Sequence, residues 1–335
     1  MLDPVRFFAQ FRHGRTVLRA LIVMCLAAPC FAGADEWAPQ RPLRLIVPFP
    51  PGGTADILAR MLATPMGAAL GQQVVVDNRG GAGGVIAMDA VVHAQPDGYT
   101  FGIPSLSAHA GNAALTPKLP YDSIRDFQPL TFVAQTPVML VVHPSNPASS
   151  VQDLIARARA AKRPLTFGSS GTGVVNHIAG ELLKLESKAD LVHVPYKGGG
   201  PAMVGVMGGE IDMLFNPISS VLPHVLGSRM KALAIADRNR STLQPNVPTM
   251  MEAGFVNFVL LESWGLVATP GSPPDATRRL RAEAVRILQQ PATVERYAAQ
   301  GIALVPTTPE ELRNIMTAEI RKYQDIVKRS GAKAN

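Results

Sequence analysis

Three short segments of this 335-residue chain concentrate glycine beside small hydroxyl or polar side chains, the combination with which a backbone holds an anion. The first is Pro50-Pro51-Gly52-Gly53-Thr54, with Asp56 two residues on. The second is Gly168-Ser169-Ser170-Gly171-Thr172-Gly173, followed by Asn176 and His177. The third is Tyr196-Lys197-Gly198-Gly199-Gly200-Pro201. Glycine lets a chain turn through positive φ and come close to a ligand. Where such a turn opens a helix, the first N–H groups lack intrahelical partners, and together with the helix dipole they favour a carboxylate or phosphate. Each segment alone also reads as scaffolding, with Thr54 as a helix cap and Asp56 as an acid favoured in a first turn. Three such turns in one chain, two of them rich in hydroxyls, favour a ligand.

Enzyme chemistry finds little to work with. Gly171-x-Gly173 lacks the third glycine of a dinucleotide fingerprint, since Asn176 stands there, and no turn ends in the Gly-Lys-Ser/Thr of a phosphate loop. Gly168 to Thr172 approaches a nucleophile elbow but ends in Thr rather than Gly. The seven histidines show no metal-ligand spacing. A Ser170–His177–Asp56 relay can be drawn, but no motif requires it. No catalytic residue, metal or cofactor is expected.

The elements that must position these turns follow an α/β grammar. The apolar run 43–47 precedes a helix over 54–70 with Ile57, Leu58, Met61, Leu62 and Leu70 at helical spacing. A strand at 73–77, a helix at 85–93 and a strand at 99–104 follow. The pattern resumes with strands at 137–144, 165–169, 191–196, 211–215, 231–236 and 264–270. Helices are expected at 151–161, 174–186, 274–289, 292–300 and 309–330. Strand, helix, strand in sequence predicts right-handed crossovers and parallel sheets. Ligands of such sheets sit beyond the strands' carboxyl ends, where all three glycine turns fall.

Composition sets the class. The chain is 47% hydrophobic and 17% charged, long enough for two lobes. Its +7 charge includes Arg6, Arg12, Arg15 and Arg19, which precede the apolar block 20–28 and the small residues Ala32-Gly33-Ala34. That order predicts a secretory leader over 1–34, cleaved after Ala34. Removing its four arginines and one aspartate leaves +4, with no dense basic run, so nucleic acid is not an expected partner. Cys25 and Cys30, the only cysteines, fall inside the leader, so the exported chain has neither disulfide nor thiol nucleophile.

The segments IVPFPPGGTADILAR, VVVDNRGGAGG, QPDGYT, LPYDSIRDF, VVHPS, HIAGELL, VHVPYKGGGPA, VPTMMEAGF, WGLVATPGSPP and SGAKAN, in this order, resemble the substrate-binding proteins of the tripartite tricarboxylate transporter family, the Bug-type periplasmic receptors. The resemblance runs from about Pro42 to Lys333. It implies an α/β, two-lobed type II periplasmic binding protein fold with two strand crossovers, near Ala134–Val138 and Leu260–Gly265. The expected divisions are 1–34 as leader, 35–136 plus 263–335 as one lobe, and 137–262 as the other. By resemblance, Pro51, Gly52, Gly53, Thr54 and Asp56 face Ser169, Ser170, Gly171 and Thr172 across a cleft and grip a carboxylate; Asn176, Tyr196 and Asn216, from the other turns, are further expected ligand-binding residues.

The implied function is that of a periplasmic, monomeric receptor. It captures a small organic carboxylate for the membrane permease of a tripartite tricarboxylate-type transporter, or for sensing. A secreted serine-type hydrolase using Ser169 or Ser170 is the alternative. Two departures from the family pattern bear on selectivity. Asn216-Pro217 stands where an acidic residue is common, and Gly265 follows Trp264 where an aromatic is common.

Overall fold

A computed structural model describes residues 37–332; the expected leader and its cleavage point lie outside them. The run 43–47 forms strand β1 (Leu43–Val47), and the 17-residue helix α1 (Thr54–Leu70) stops at Gly71, whose φ of +69° is left-handed. Then come β2 (Val74–Asn78), a 3₁₀ turn (Ala82–Gly84), helix α2 (Val85–Val92) and β3 (Thr100–Gly102). Both β2 and β3 flank β1 in parallel. Helix α3 (Leu106–Leu115) leads into β4 (Gln128–Val142), a strand of 15 residues.

Strand β4 belongs to two sheets. Its first part, to Pro137, pairs antiparallel with β9 (Leu261–Ala268), which also borders β3. From Val138 onward it pairs antiparallel with β7 (Met213–Pro217) on one edge and β8 (Lys231–Ile235) on the other. The second sheet continues through β5 (Leu165–Ser169), which lies parallel to both β7 and β6 (Leu191–Pro195). Its helices are α4 (Val151–Ala160), α5 (Val175–Ser187), α6 (Gly199–Met207) and α7 (Ile218–Leu226). After β9 come α8 (Pro274–Leu288), α9 (Pro291–Ala298), the short β10 (Ala303–Leu304) and α10 (Pro309–Ser330).

Apolar burial makes each sheet the middle of three layers. In the first, Leu58 and Leu62 of α1 and Leu280 and Ile287 of α8 cover one face, and Met88 of α2, Leu106 of α3 and Leu312 of α10 cover the other. In the second, Leu154 of α4 and Ile178 of α5 pack on one face, and Val206 of α6 and Val221 of α7 on the other. Helix α10 serves both cores, with Leu312 and Met316 in the first and Tyr323 and Ile326 in the second. Thr308 starts it with a full capping box to Glu311.

Three expectations are corrected. The sheets are mixed rather than parallel, because two sheets share β4 and the chain returns along it as β9. The strand expected from Pro137 begins at Gln128. Thr131 and Thr136 interrupt its apolar run, yet both are buried, and Thr131 exchanges hydrogen bonds with the Thr307 backbone. Helix α3 was not foreseen at all. Eight of its residues are buried and several are small or polar (Ser107, Ala108, His109, Gly111, Asn112), so it carries no apolar stripe to read.

Candidate functional site

The β1–α1 turn passes through Gly52 at φ +86°, and Gly53 precedes the first helical residue in extended conformation without a side-chain cap. Thr54 therefore does not cap its helix. Its hydroxyl lies 3.3 Å from the hydroxyls of both Ser219 and Ser220, at the start of α7. Asp56 turns back under its own loop, where Oδ2 accepts from the Gly52 amide at 3.0 Å and from Arg60 Nε at 3.0 Å. Burial acts to raise the Asp56 pKa. Hydrogen bonds from Arg60, Gly52 and Asn78, with the Arg60 charge, outweigh it and hold the group below the ordinary carboxylate range. Asp56 shapes the turn from beneath.

The β5–α5 turn borders the same cavity as Pro50 of the first turn. Gly171 and Gly173 have φ of +136° and +84°, values open to glycine and strained for other residues. Ser169 is fully buried; its hydroxyl donates to the Gly171 carbonyl at 2.8 Å and lies 2.6 Å from His193 Nε2. Asn176 staples the turn. Its Oδ1 accepts from the Ser170 amide at 3.1 Å, while its Nδ2 donates to Ser170 Oγ at 2.8 Å and to Asn216 Oδ1 at 3.1 Å. Asn216 is 2% exposed, so its amide completes this network. A Cβ on Gly199 would stand 3.2 Å from Asn216 Oδ1 and 3.3 Å from Ser170 Oγ, which puts the start of α6 directly over the pair.

Two stacked histidines support the turn from behind, with the rings of His177 and His193 4.1 Å apart. His177 Nδ1 accepts from the Gly173 amide at 3.1 Å, so that nitrogen carries no proton. Burial pushes the His177 pKa down to about 4, and burial plus the neighbouring His177 pushes His193 down to about 3. Neither arrangement drawn for a hydrolase is assembled. Ser169 is out of reach of solvent, Ser170 is bonded to Asn176, and Asp56 to Gly52 and Arg60.

Beside the second turn is a cavity of about 780 Å³. Pro50, the 3₁₀ turn at Ala82–Gly84 and Asn112 line it from one side, and Ser170, Gly171, Thr172, Tyr196, Lys197 and Gly198 from the other. Pro51, Gly52, Gly53 and Thr54, expected at the ligand, are not among its lining residues; the first three are exposed to half-exposed and Thr54 is buried. Tyr196 borders the cavity, but its hydroxyl donates to Glu210 at 3.3 Å over α6. The two sides meet at glycine. A Cβ on Gly111 would fall 1.7 Å from the Gly173 carbonyl, and one on Gly83 would fall 2.9 Å from the Thr172 carbonyl. Asn112 Nδ2 donates to the Gly83 carbonyl at 2.9 Å.

The structure thus brings Ser170, Gly171, Thr172 and Tyr196 around one opening, with Asn176 and Asn216 buried behind Ser170. Sequence reasoning missed Asn112, Lys118, Lys197, Ser219 and Ser220. The signal for Lys197 was present in the third glycine turn, whereas Ser219 and Ser220 follow a strand-to-helix turn that has no glycine to mark it. Gly265 proves to be a core position, where an added Cβ would meet Leu106 and Leu312; an aromatic there would clash with packing and has no path to the cavity.

Comparison with known proteins agrees in one direction. A model of the tripartite tricarboxylate transporter family receptor matches residues 58–332. Protein BugT of Bordetella pertussis is 39% identical over 309 residues, which cover 92% of this chain and 94% of BugT. Among solved structures, R. palustris Rpa4515 with adipate shares 30% identity at a TM-score of 0.84, over 88% of this chain and 98% of that one. MatC from Rhodopseudomonas palustris with bound malate shares 31% identity at a TM-score of 0.82, over 86% and 99%.

Proposed function

The chain belongs to the tripartite tricarboxylate transporter receptor family, and on that premise we propose that it clasps a carboxylate of its ligand between the β1–α1 and β5–α5 turns. It is a periplasmic carboxylate-binding receptor and not an enzyme. What supports the reading of the site is the cavity itself. Ser170, Gly171 and Thr172 of the second turn, Pro50 of the first, and Gly198 just before α6 line one opening, and small hydroxyls and glycine backbone of this kind suit an anion. The negative charge of Asp56 is turned away beneath its loop. Pro51, Gly52, Gly53 and Thr54 form one jaw, and Ser169, Ser170, Gly171, Thr172, Asn176, Tyr196 and Asn216 the other. In both jaws the buried members hold the shape rather than the ligand.

The jaws belong to lobes of residues 35–136 plus 263–335 and of residues 137–262, which hinge where β4 and β9 pass from one to the other. The receptor acts as a monomer and delivers its ligand to permease subunits of a tripartite tricarboxylate-type transporter. A thermal-shift screen with malate, adipate, citrate and their esters tests this. A bound acid at a hundred times its Kd adds about 2.7 kcal/mol of stability, read as a higher Tm, while the esters leave Tm unchanged. Equal shifts from acids and esters, or none from any acid, would contradict the reading.

A further inference from the structure

Glu262 is a buried acid that the ligand site leaves unused. It stands in β9 directly across from Thr136 of β4, just before β4 leaves the first sheet for the second at Val138. That is the division between the lobes proposed above. The two helices beside it are each packed into both cores. Helix α3 sends Leu106 into the core of the first sheet and Ala110 and Leu115 into that of the second. Helix α10 divides Met316 and Tyr323 in the same way. A hinge motion about the crossing strands therefore shifts every wall of the carboxyl's pocket against the others.

The pocket suits a neutral carboxyl. Ser105 Oγ, at the start of α3, donates to Oε1 at 2.5 Å, and Ser107 adds a further hydrogen bond. Across the strand pair, Thr136 Oγ1 is buried without a hydrogen-bond partner. The titratable groups that bear on Glu262 both come from α10. Glu319 is of like charge and pairs with Lys322 at 3.6 Å. Burial and the acids Glu319 and Glu262 keep Tyr323 protonated. From α3 and β4 the carboxyl meets hydroxyls alone. Burial, aided by Glu319 and only partly opposed by the serines, pushes the Glu262 pKa up to about 7 in this packing.

We propose that Glu262 is a proton switch on the hinge, which holds the lobes together when protonated and favours the opened receptor when ionised. An ionised carboxylate needs water or more donors than this pocket supplies, and loosening the crossing admits them. Ligand capture then takes up a proton at Glu262. A carboxyl whose pKa is raised in the closed packing stabilises that packing at low pH, and the advantage is lost as pH rises through about 7. Affinity therefore falls between the ordinary carboxylate range and pH ~7, by at most about tenfold per pH unit for one proton, and is level above. His177 and His193 behind the cradle titrate at about 4 and about 3, outside that window.

The test is titration calorimetry from pH 5.5 to 8 on wild type, Glu262→Gln and Ser107→Ala, with whichever of malate, adipate and citrate most raises Tm. Wild type is expected to lose about tenfold or more in affinity relative to Glu262→Gln between pH 5.5 and 7.5; ionisation of the added acid is common to both. Ser107→Ala removes a hydrogen bond that favours the ionised form, so the midpoint of the fall is expected to move to higher pH. A merely structural serine would change affinity equally at every pH. Small-angle scattering of the ligand-free protein reads the hinge independently: wild type is expected to expand as pH rises and Glu262→Gln to stay constant. Parallel affinity curves for wild type and Glu262→Gln overturn the inference. Where Glu262→Gln does not fold, an unmoved midpoint in Ser107→Ala overturns it. Where none of the three acids binds, the carboxylate reading falls, scattering alone decides the switch, and wild-type profiles that do not change with pH overturn it.

Discussion

Gly111 is the residue with the least room. Any Cβ there lies 1.7 Å from the carbonyl oxygen of Gly173, a backbone atom that cannot move aside as a flexible side chain does. Gly111→Ala must push α3 away from the β5–α5 turn, which displaces Gly171 and Thr172 at the cavity. Overpacking of this kind costs about 1–3 kcal/mol, so urea denaturation is expected to show that loss and calorimetry a weaker carboxylate. Unchanged stability and affinity would mean that α3 and the turn are not in contact. Residues at this scale were unevenly legible. Ser170 and Thr172 announce themselves as small hydroxyls between glycines. Asn112 and Gly111 do not, because their role comes from an approach between segments some sixty positions apart, which no local pattern encodes.

At the level of elements, the crossing strands carry a buried acid. Glu262 of β9 stands opposite Thr136 of β4, close to where β4 passes from one sheet to the other. Its Oε1 accepts from Ser105 Oγ at 2.5 Å, the same hydroxyl that caps α3 by accepting from the Ala108 amide. Burial, only partly offset by hydrogen bonds from Ser105 and Ser107, raises the Glu262 pKa from 4.5 to about 7. A raised carboxyl pKa means that the fold favours the protonated form. The resulting stabilisation is complete below pH ~4.5 and is lost as pH rises through 7, about 3 kcal/mol in all. His177 and His193, with depressed pKa values, give the opposite slope below pH ~6.5. The difference between wild type and Glu262→Gln isolates the carboxyl. In urea unfolding from pH 5 to 8, wild type is expected to lose stability relative to the variant as pH rises. Parallel curves would show that Glu262 titrates normally. Elements with an exposed face, such as α1 and α8, were readable from their periodicity. Helix α3, enclosed on all sides, and the first part of β4, with threonines in its interior, were hidden because burial removes the contrast between faces that a pattern needs.

At the scale of the molecule, the alternation of strands and helices announced an α/β protein, and chain length together with the family resemblance pointed to two lobes. What periodicity could not supply was strand direction. A parallel order is the natural reading of strand–helix–strand, and it holds for β2-β1-β3 and β6-β5-β7. The antiparallel strands β4 and β9 follow from the global requirement that one chain enter and leave a second sheet. The central claim also lives at this scale, because it needs both lobes: the proposed anion site lies between the β1–α1 and β5–α5 turns. Titration calorimetry of Ser170→Asp against Ser170→Asn, with the acid that most raises Tm, tests it most directly. The two side chains are alike in size and in their tolerance near helix starts, but Asp sets a fixed negative charge beside the bound carboxylate. Like charges ~4 Å apart at an effective dielectric of ~20 repel by about 4 kcal/mol. With part of that screened at half-buried Ser170, Asp is expected to weaken binding about a hundredfold or more and Asn far less. Equal affinities for the two variants would contradict the account and place the anion elsewhere.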